Sequence, residues 1–103
     1  MPEYVRVARA DEIAPGEKKI VEVDGIEIVV VNLDGKFYAI EDVCTHDGGP
    51  LGEGQLDGCQ IVCPRHGAHF DVRTGAALTM PAVEGVPTYE VKVENGDLLV
   101  ESY

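Results

Sequence analysis

Two short segments of the chain each place a cysteine close to a histidine. One residue separates Cys44 from His46, and two residues separate Cys63 from His66, with sixteen residues between the two pairs. Thiolate and imidazole are both good ligands for iron and for zinc. The spacing therefore predicts a metal centre, and its predicted ligands are Cys44, His46, Cys63 and His66.

Zinc is the main alternative metal, because two cysteines with two histidines are a common structural zinc set. Zinc fingers and ribbons, however, usually place two cysteines or two histidines a few residues apart, whereas both pairs here are mixed. Mixed pairs suit a binuclear centre in which two cysteines hold one iron and two histidines hold the other. A structural zinc module stays open as an alternative that is less favoured.

The segments that must position these side chains are predicted to be short β-strands. Asp-Gly and Asn-Gly pairs favour two-residue hairpin turns, because both central residues must tolerate positive φ. These pairs are Asp24-Gly25, Asp34-Gly35, Asp57-Gly58 and Asn95-Gly96. The β-branched runs between turns cover residues 5–7, 18–23, 26–31, 36–40, 60–63, 88–94 and 97–101. In the run 88–94, alternation predicts one strand whose Tyr89, Val91 and Val93 face the core. Only residues 10–13 hint at a helical turn.

Length and charge limit the classes of function. A chain of 103 residues predicts one domain, residues 1–103. The longest apolar run, residues 28–31, is too short to span a bilayer, and no secretory signal is visible, so we expect a cytoplasmic protein. The formal net charge of −11 argues against nucleic acid. It favours a partner with a basic face, with improved solubility alone as the alternative explanation. Three cysteines, an odd number, do not suggest a disulfide framework.

The motif C-x-H-x16-C-x2-H, together with FYAI at residues 37–40 and FDVRTG at 70–75, resembles the bacterial Rieske ferredoxins that serve ring-hydroxylating dioxygenases. The resemblance covers nearly the whole chain. It implies an all-β fold of three stacked antiparallel sheets, with a small loop-rich cluster-binding subdomain at about residues 42–74. It also implies one [2Fe-2S] cluster per chain, with His46 and His66 on the outer iron as the exit point for the electron.

The same resemblance implies an electron carrier and not an enzyme. Such a monomeric, soluble protein would accept one electron from a flavin-dependent reductase and pass it to a terminal oxygenase or another redox protein. The alternative is a subunit of a larger enzyme, such as the Rieske small subunit of an assimilatory nitrite reductase or a detached oxygenase domain.

Departures from the high-potential relatives predict a low reduction potential. Those relatives join the two ligand loops by a disulfide, where this chain has Gly49 and Arg65, and they place Ser and Tyr hydroxyls near the cluster sulfurs, where it has Ala68 and Phe70. Fewer hydrogen bonds to sulfur lower the potential, so we expect the lower end of the range of roughly −150 to +300 mV.

Loop residues near the ligands have predicted supporting roles. We expect the glycines 48, 49 and 67 to allow close backbone approach to the cluster through unusual φ, and Pro64 and Pro81 to stiffen the loops. Cys59 is predicted to be a small buried hydrophobe and not a ligand. His69 is expected to pack or to make a loop hydrogen bond. Acidic residues 41, 42 and 47 are predicted to lie on a solvated loop, with a role in partner docking or in the titration of His46 as the alternative.

Overall fold

The computed structural model of the chain describes residues 3–43, 51–64, 67–79 and 85–102. Two single 3₁₀ turns, Ala10–Glu12 and Leu51–Glu53, accompany ten β-strands in these ranges. The strands are β1 (Glu3–Arg9), β2 (Lys18–Val23), β3 (Ile26–Leu33), β4 (Lys36–Glu41), β5 (Leu56–Asp57), β6 (Gln60–Val62), β7 (His69–Asp71), β8 (Thr88–Tyr89), β9 (Val91–Glu94) and β10 (Asp97–Ser102). The short turn predicted at residues 10–13 is confirmed. Among the described helical segments, none has the length and apolar character needed to cross a membrane.

The strands form three antiparallel sheets. The first sheet has the order β1-β10-β9, the middle sheet β2-β3-β4-β8, and the third sheet β5-β6-β7. The predicted all-β fold of three antiparallel sheets is therefore confirmed.

Strand β3 is buried on both faces and separates two hydrophobic cores. Ile28 and Val30 pack into a core shared with the first sheet, while Val29 and Val31 pack into a core shared with the third sheet. The first core contains Ala8, Ile13, Val23, Ile28, Val30, Ala39, Leu98 and Val100. The second contains Val29, Val31, Ile40, Leu51, Ile61, Cys63, Ala68, Phe70, Val72 and Val86. A strand covered on both faces explains why residues 28–31 are continuously apolar.

Three of the four predicted hairpin turns are confirmed. Asp24, Asp34 and Asn95 have φ of 51°, 57° and 52°, and each is followed by a glycine with positive φ, as in a type I′ turn. The fourth prediction is wrong by one residue. Asp57 pairs with Gln60, so the turn is Gly58-Cys59. Because Cys59 occupies a turn position it is half-exposed, and its predicted burial is also wrong.

The run 88–94 is not one strand. Strand β8 pairs with β4 in the middle sheet, whereas β9 pairs with β10 in the first sheet. Between them, the carbonyl oxygen of Glu90 accepts a hydrogen bond of 2.9 Å from the amide of Glu101. Tyr89 and Val91 pack against the first core as predicted, whereas Val93, also predicted to face the core, is 52% exposed.

Asn32 is a buried polar residue that ties two turns to the middle sheet. Its Nδ2 donates to the carbonyl oxygen of Ile13 at 2.8 Å, and its Oδ1 accepts the amide of Gly35 at 2.8 Å. Its backbone adds two bonds to the neighbouring segment, with Gly16 and Glu17. The Asn32 side chain thus provides hydrogen-bond partners for both the Ile13 carbonyl oxygen and the Gly35 amide.

We expect Asn32→Ala to lower the free energy of unfolding by about 1–3 kcal/mol, because it removes partners from polar backbone groups at a buried position. Thermal unfolding of the parent, the variant and the control Glu22→Ala, at an exposed position of β2, measures the effect. The control should unfold near the parent temperature. Equal midpoints for Asn32→Ala and the parent would contradict the prediction.

Candidate metal centre

Of the four predicted ligands, Cys63 lies within the described residues. Cys44, His46 and His66 lie outside them. Within the described ranges, no group of three or more Cys, His, Asp or Glu side chains is close enough to hold a metal ion. The four-residue ligand set therefore stays a prediction, and the structure bears on it through Cys63 and through the backbone on either side of the ligand segments.

Cys63 directly follows strand β6 and has a buried, unbridged thiol. Its amide donates to the carbonyl oxygen of Ala68 at 2.7 Å, and its carbonyl oxygen accepts the amide of Gly67 at 3.0 Å. The chain therefore leaves β6 and returns to β7 through a tight loop. Gly67 has φ of +75°, which agrees with its predicted unusual conformation. Glycines 48 and 49, predicted to act in the same way, lie outside the described residues.

Ala68 and Phe70 are both fully buried and belong to the same hydrophobic core as Cys63. Neither side chain carries a hydroxyl group. Cys63 therefore packs in an apolar environment that includes the first residues of the returning chain, Ala68 and Phe70. An unbridged thiol in such a setting suits metal ligation, which requires the thiolate form, once a cation is present to stabilise that charge.

Asp42, two residues before Cys44, holds the base of the first ligand segment. Its Oδ1 accepts the amide of Gly52 at 2.5 Å, and its own amide donates to the carbonyl oxygen of Glu27 at 2.9 Å. Glu41 accepts a hydrogen bond of 3.3 Å from the hydroxyl of Tyr89. Both acidic residues are half-buried, so the prediction that they lie on a solvated loop is wrong. Asp47 lies outside the described residues.

Residues 51–55 return the chain from the first ligand segment to the third sheet. Leu51 is fully buried in the second core, and a Cβ added to Gly52 would come within 2.8 Å of side-chain carbons of Ile20 and Val29. A Cβ added to Gly54 would overlap the carbonyl oxygen of Val62. The importance of Gly54 was not predicted, because a glycine between Glu53 and Gln55 carries no motif that marks it.

Two further glycines close the base of the segment that contains Pro81. Gly75 has φ of +79°, and its carbonyl oxygen accepts the amide of Val86 at 2.8 Å. A Cβ added to Gly85 would lie 2.6 Å from the same carbonyl oxygen. The two backbones approach closely because neither residue has a side chain. Pro81 itself lies outside the described residues, and the exposed Pro64 follows Cys63 directly.

His69, which was expected to pack or to make a loop hydrogen bond, begins strand β7 and makes two hydrogen bonds. Its Nδ1 lies 2.8 Å from Oε1 of Gln60 across strands β6 and β7, and its amide donates to Oγ1 of Thr79 at 2.9 Å. At the end of β7, Asp71 accepts three hydrogen bonds from Arg73. The Arg73 guanidinium holds the pKa of the Asp71 carboxyl below its usual value. These contacts stabilise the hairpin that follows Cys63.

Comparison with known proteins identifies the family. The model of the Rieske [2Fe-2S] domain matches residues 3–90. A ferredoxin component of naphthalene 1,2-dioxygenase/salicylate 5-hydroxylase systems from Ralstonia sp. is 39% identical over 92 residues, which are 89% of this chain and 88% of that protein. The ferredoxin of carbazole 1,9a-dioxygenase from Nocardioides aromaticivorans IC177 superposes with a TM-score of 0.91 at 39% identity, covering 94% of this chain and 95% of that one.

A second solved structure, described as a complex of reduced oxygenase and oxidized ferredoxin in carbazole 1,9a-dioxygenase, matches with a TM-score of 0.89 at 37% identity. It covers 94% of this chain and 91% of the matched chain. The predicted resemblance to ferredoxin components of dioxygenase systems is confirmed, and a Rieske domain implies a [2Fe-2S] cluster. The chain belongs to the Rieske [2Fe-2S] domain family.

Proposed function

We propose that this protein is a one-electron carrier that binds one [2Fe-2S] cluster per chain through Cys44, His46, Cys63 and His66. The carrier accepts an electron from a flavin-dependent reductase and passes it to a terminal oxygenase. It acts as a single domain of residues 1–103, with a cluster-binding subdomain at about residues 42–74, and works as a monomer in the cytoplasm.

The observation that carries the proposal is the state of Cys63. It is the described member of the C-x-H-x16-C-x2-H motif, and it is a buried, unbridged thiol at the end of β6. Cys59, the other described cysteine, lies in a turn and is half-exposed. The buried, unbridged state of Cys63 supports its proposed role as a ligand, and the turn position of Cys59 supports its exclusion from the ligand set.

The buried residues next to the proposed ligand Cys63 would shield the cluster from water. The cluster supplies reversible one-electron chemistry, and the protein supplies the ligands, the potential and a docking surface. Ala68 and Phe70 exclude water beside Cys63 and offer no hydroxyl group to a cluster sulfur. Both effects disfavour the reduced, more negative cluster, which supports a low potential.

The relatives support the proposed partners. One of the matched structures is a complex between an oxygenase and a ferredoxin, and the matched ferredoxin of Ralstonia is a component of dioxygenase and hydroxylase systems. This chain is matched over 94% of its length by the ferredoxin in that complex. A net charge of −11 additionally favours attraction to a basic docking surface.

The first prediction concerns the cluster itself. The purified, dithionite-reduced protein should give a rhombic EPR signal with the low average g of a mixed Cys/His centre, and assays should find two irons and two sulfides per chain. Cys63→Ser should lose the signal, while the matched control Cys59→Ser should keep it. A colourless, EPR-silent protein that contains zinc would contradict the proposal and favour the zinc alternative.

The second prediction concerns the potential. Ala68→Ser should raise the reduction potential, because a hydroxyl donor to a cluster sulfur stabilises the reduced state. Redox titration followed by EPR measures the change, with Ala77→Ser as control, since Ala77 packs against the same core. An unchanged potential in an Ala68→Ser protein shown to make the contact would contradict this origin of the low potential.

The third prediction concerns electron transfer. Added to a reductase and a terminal oxygenase of an aromatic dioxygenase system whose own ferredoxin is left out, the cluster-loaded protein should restore NADH-dependent product formation. Cys63→Ser should not restore it, and the initial rate should fall as salt screens the docking charges. Failure of the loaded protein in every system tested would contradict the proposed role.

A further inference from the structure

The two ligand-bearing segments are connected by residues 51–55, which we call the strap. At one end of the strap, the amide of Gly52 donates to Oδ1 of Asp42, the residue two positions before Cys44. At the other end, the carbonyl oxygen of Gln55 accepts the amide of Val62 at 2.9 Å, and Val62 directly precedes Cys63. The strap is therefore bonded to both segments just outside the predicted ligand positions.

The strap is itself firmly placed. Leu51 is fully buried in the core that contains Cys63, and the amide of Gly54 donates to the carbonyl oxygen of Leu51 at 3.0 Å, which closes the 3₁₀ turn. Gly52 is in contact with Ile20 and Val29, where even a Cβ would be too close. A strap held in this way can transmit a fixed position from one segment to the other.

The strap is held in different ways at its Asp42 end and at its Val62 end. The contact at Asp42 is a charge-assisted hydrogen bond from a backbone amide to a carboxylate, which is stronger than a neutral one. At the Val62 end, the backbone of Gly54 lies very close to the Val62 carbonyl oxygen. Any side chain at position 54 would overlap this oxygen and push the backbone that leads to Cys63. Gly54 and Cys63 also line the same surface cavity.

We propose that the strap fixes the position of one ligand segment relative to the other, so that Asp42 and Gly54 are positioning residues for the cluster. The inference rests on the proposed function, since it assumes that Cys44, His46, Cys63 and His66 bind the cluster. Its content is different: the geometry of the cluster depends on a carboxylate and a glycine that are not ligands.

The test compares four variants of the cluster-loaded protein with the parent. Asp42→Ala removes the acceptor, Asp42→Asn removes the charge but keeps an acceptor oxygen, and Gly54→Ala introduces the overlap. Glu53→Ala is the matched control, because it removes an exposed carboxylate from the same 3₁₀ turn. The readouts are the half-life of the cluster in the presence of an iron chelator and the line widths of the EPR signal.

Asp42→Ala should shorten the cluster half-life by roughly tenfold or more, as loss of a charge-assisted hydrogen bond would. Gly54→Ala should also shorten it, because the overlap with the Val62 carbonyl oxygen displaces the backbone that leads to Cys63. Both variants should also broaden the EPR lines, because loosely held ligands sample a spread of geometries. Asp42→Asn, which keeps a neutral acceptor in place of the charged one, should fall between the parent and Asp42→Ala, and Glu53→Ala should stay near the parent. A role in overall stability alone would lower the unfolding temperature of the variants and leave their line widths unchanged, which would overturn the inference.

Other outcomes are equally decisive. The inference is wrong if the cluster half-life of Asp42→Asn is as short as that of Asp42→Ala, because the remaining acceptor oxygen would then contribute nothing. It is also wrong if Glu53→Ala loses its cluster as fast as Asp42→Ala.

If Asp42→Ala or Gly54→Ala does not fold, hydrogen exchange of the parent decides, because the amides of Gly52 and Val62 must both exchange slowly. A parent without the EPR signal would contradict the proposed function and the strap together. A parent with the signal, matched in half-life and line width by Asp42→Ala, would contradict the strap alone.

Discussion

Burial of strand β3 on both faces is the constraint on which the rest of the structure depends. Ile28 and Val30 point into one core and Val29 and Val31 into the other, so this single strand serves as the wall between two layers. Each fully buried side chain of this size contributes about 1.5–3 kcal/mol. A polar residue at any of these positions would weaken a whole interface. The core on the Val29 side also contains Cys63, Ala68 and Phe70, so these three residues pack directly on the middle sheet.

The sequence predicted those features that depend on local chemistry. Asp-Gly and Asn-Gly pairs specify type I′ turns because of the φ that both residues must adopt, and Asp24, Asp34 and Asn95 all have it. The β-branched run 26–31 predicted a strand, and β3 contains it. The family was recognisable because two mixed Cys-His pairs at short spacing are typical of metal binding, and the four ligands themselves stay a prediction.

Features set by tertiary context were not predictable in the same way. The alternation of residues 88–94 is that of one strand, yet the chain moves from the middle sheet to the first sheet at Glu90, which only the neighbouring strands determine. The sequence predicted the turn between β5 and β6 at Asp57-Gly58, one residue before its position at Gly58-Cys59, because an Asp-Gly pair is itself a strong local turn signal. Asp42 was taken for a solvated residue since its partner, the amide of Gly52, is ten positions away along the chain.

The pairing of β1 with β10 has a consequence for the order in which the chain can fold. Glu3 pairs with Ser102 and Tyr4 with Glu101, so the first sheet joins residues from the two ends of the described range. Strands β2 to β7, by contrast, come from residues 18–71 and pair only among themselves, apart from β4 with β8. Contacts between distant residues form slowly. The sheets beneath the predicted ligand segments can therefore form before the sheet that closes the opposite core.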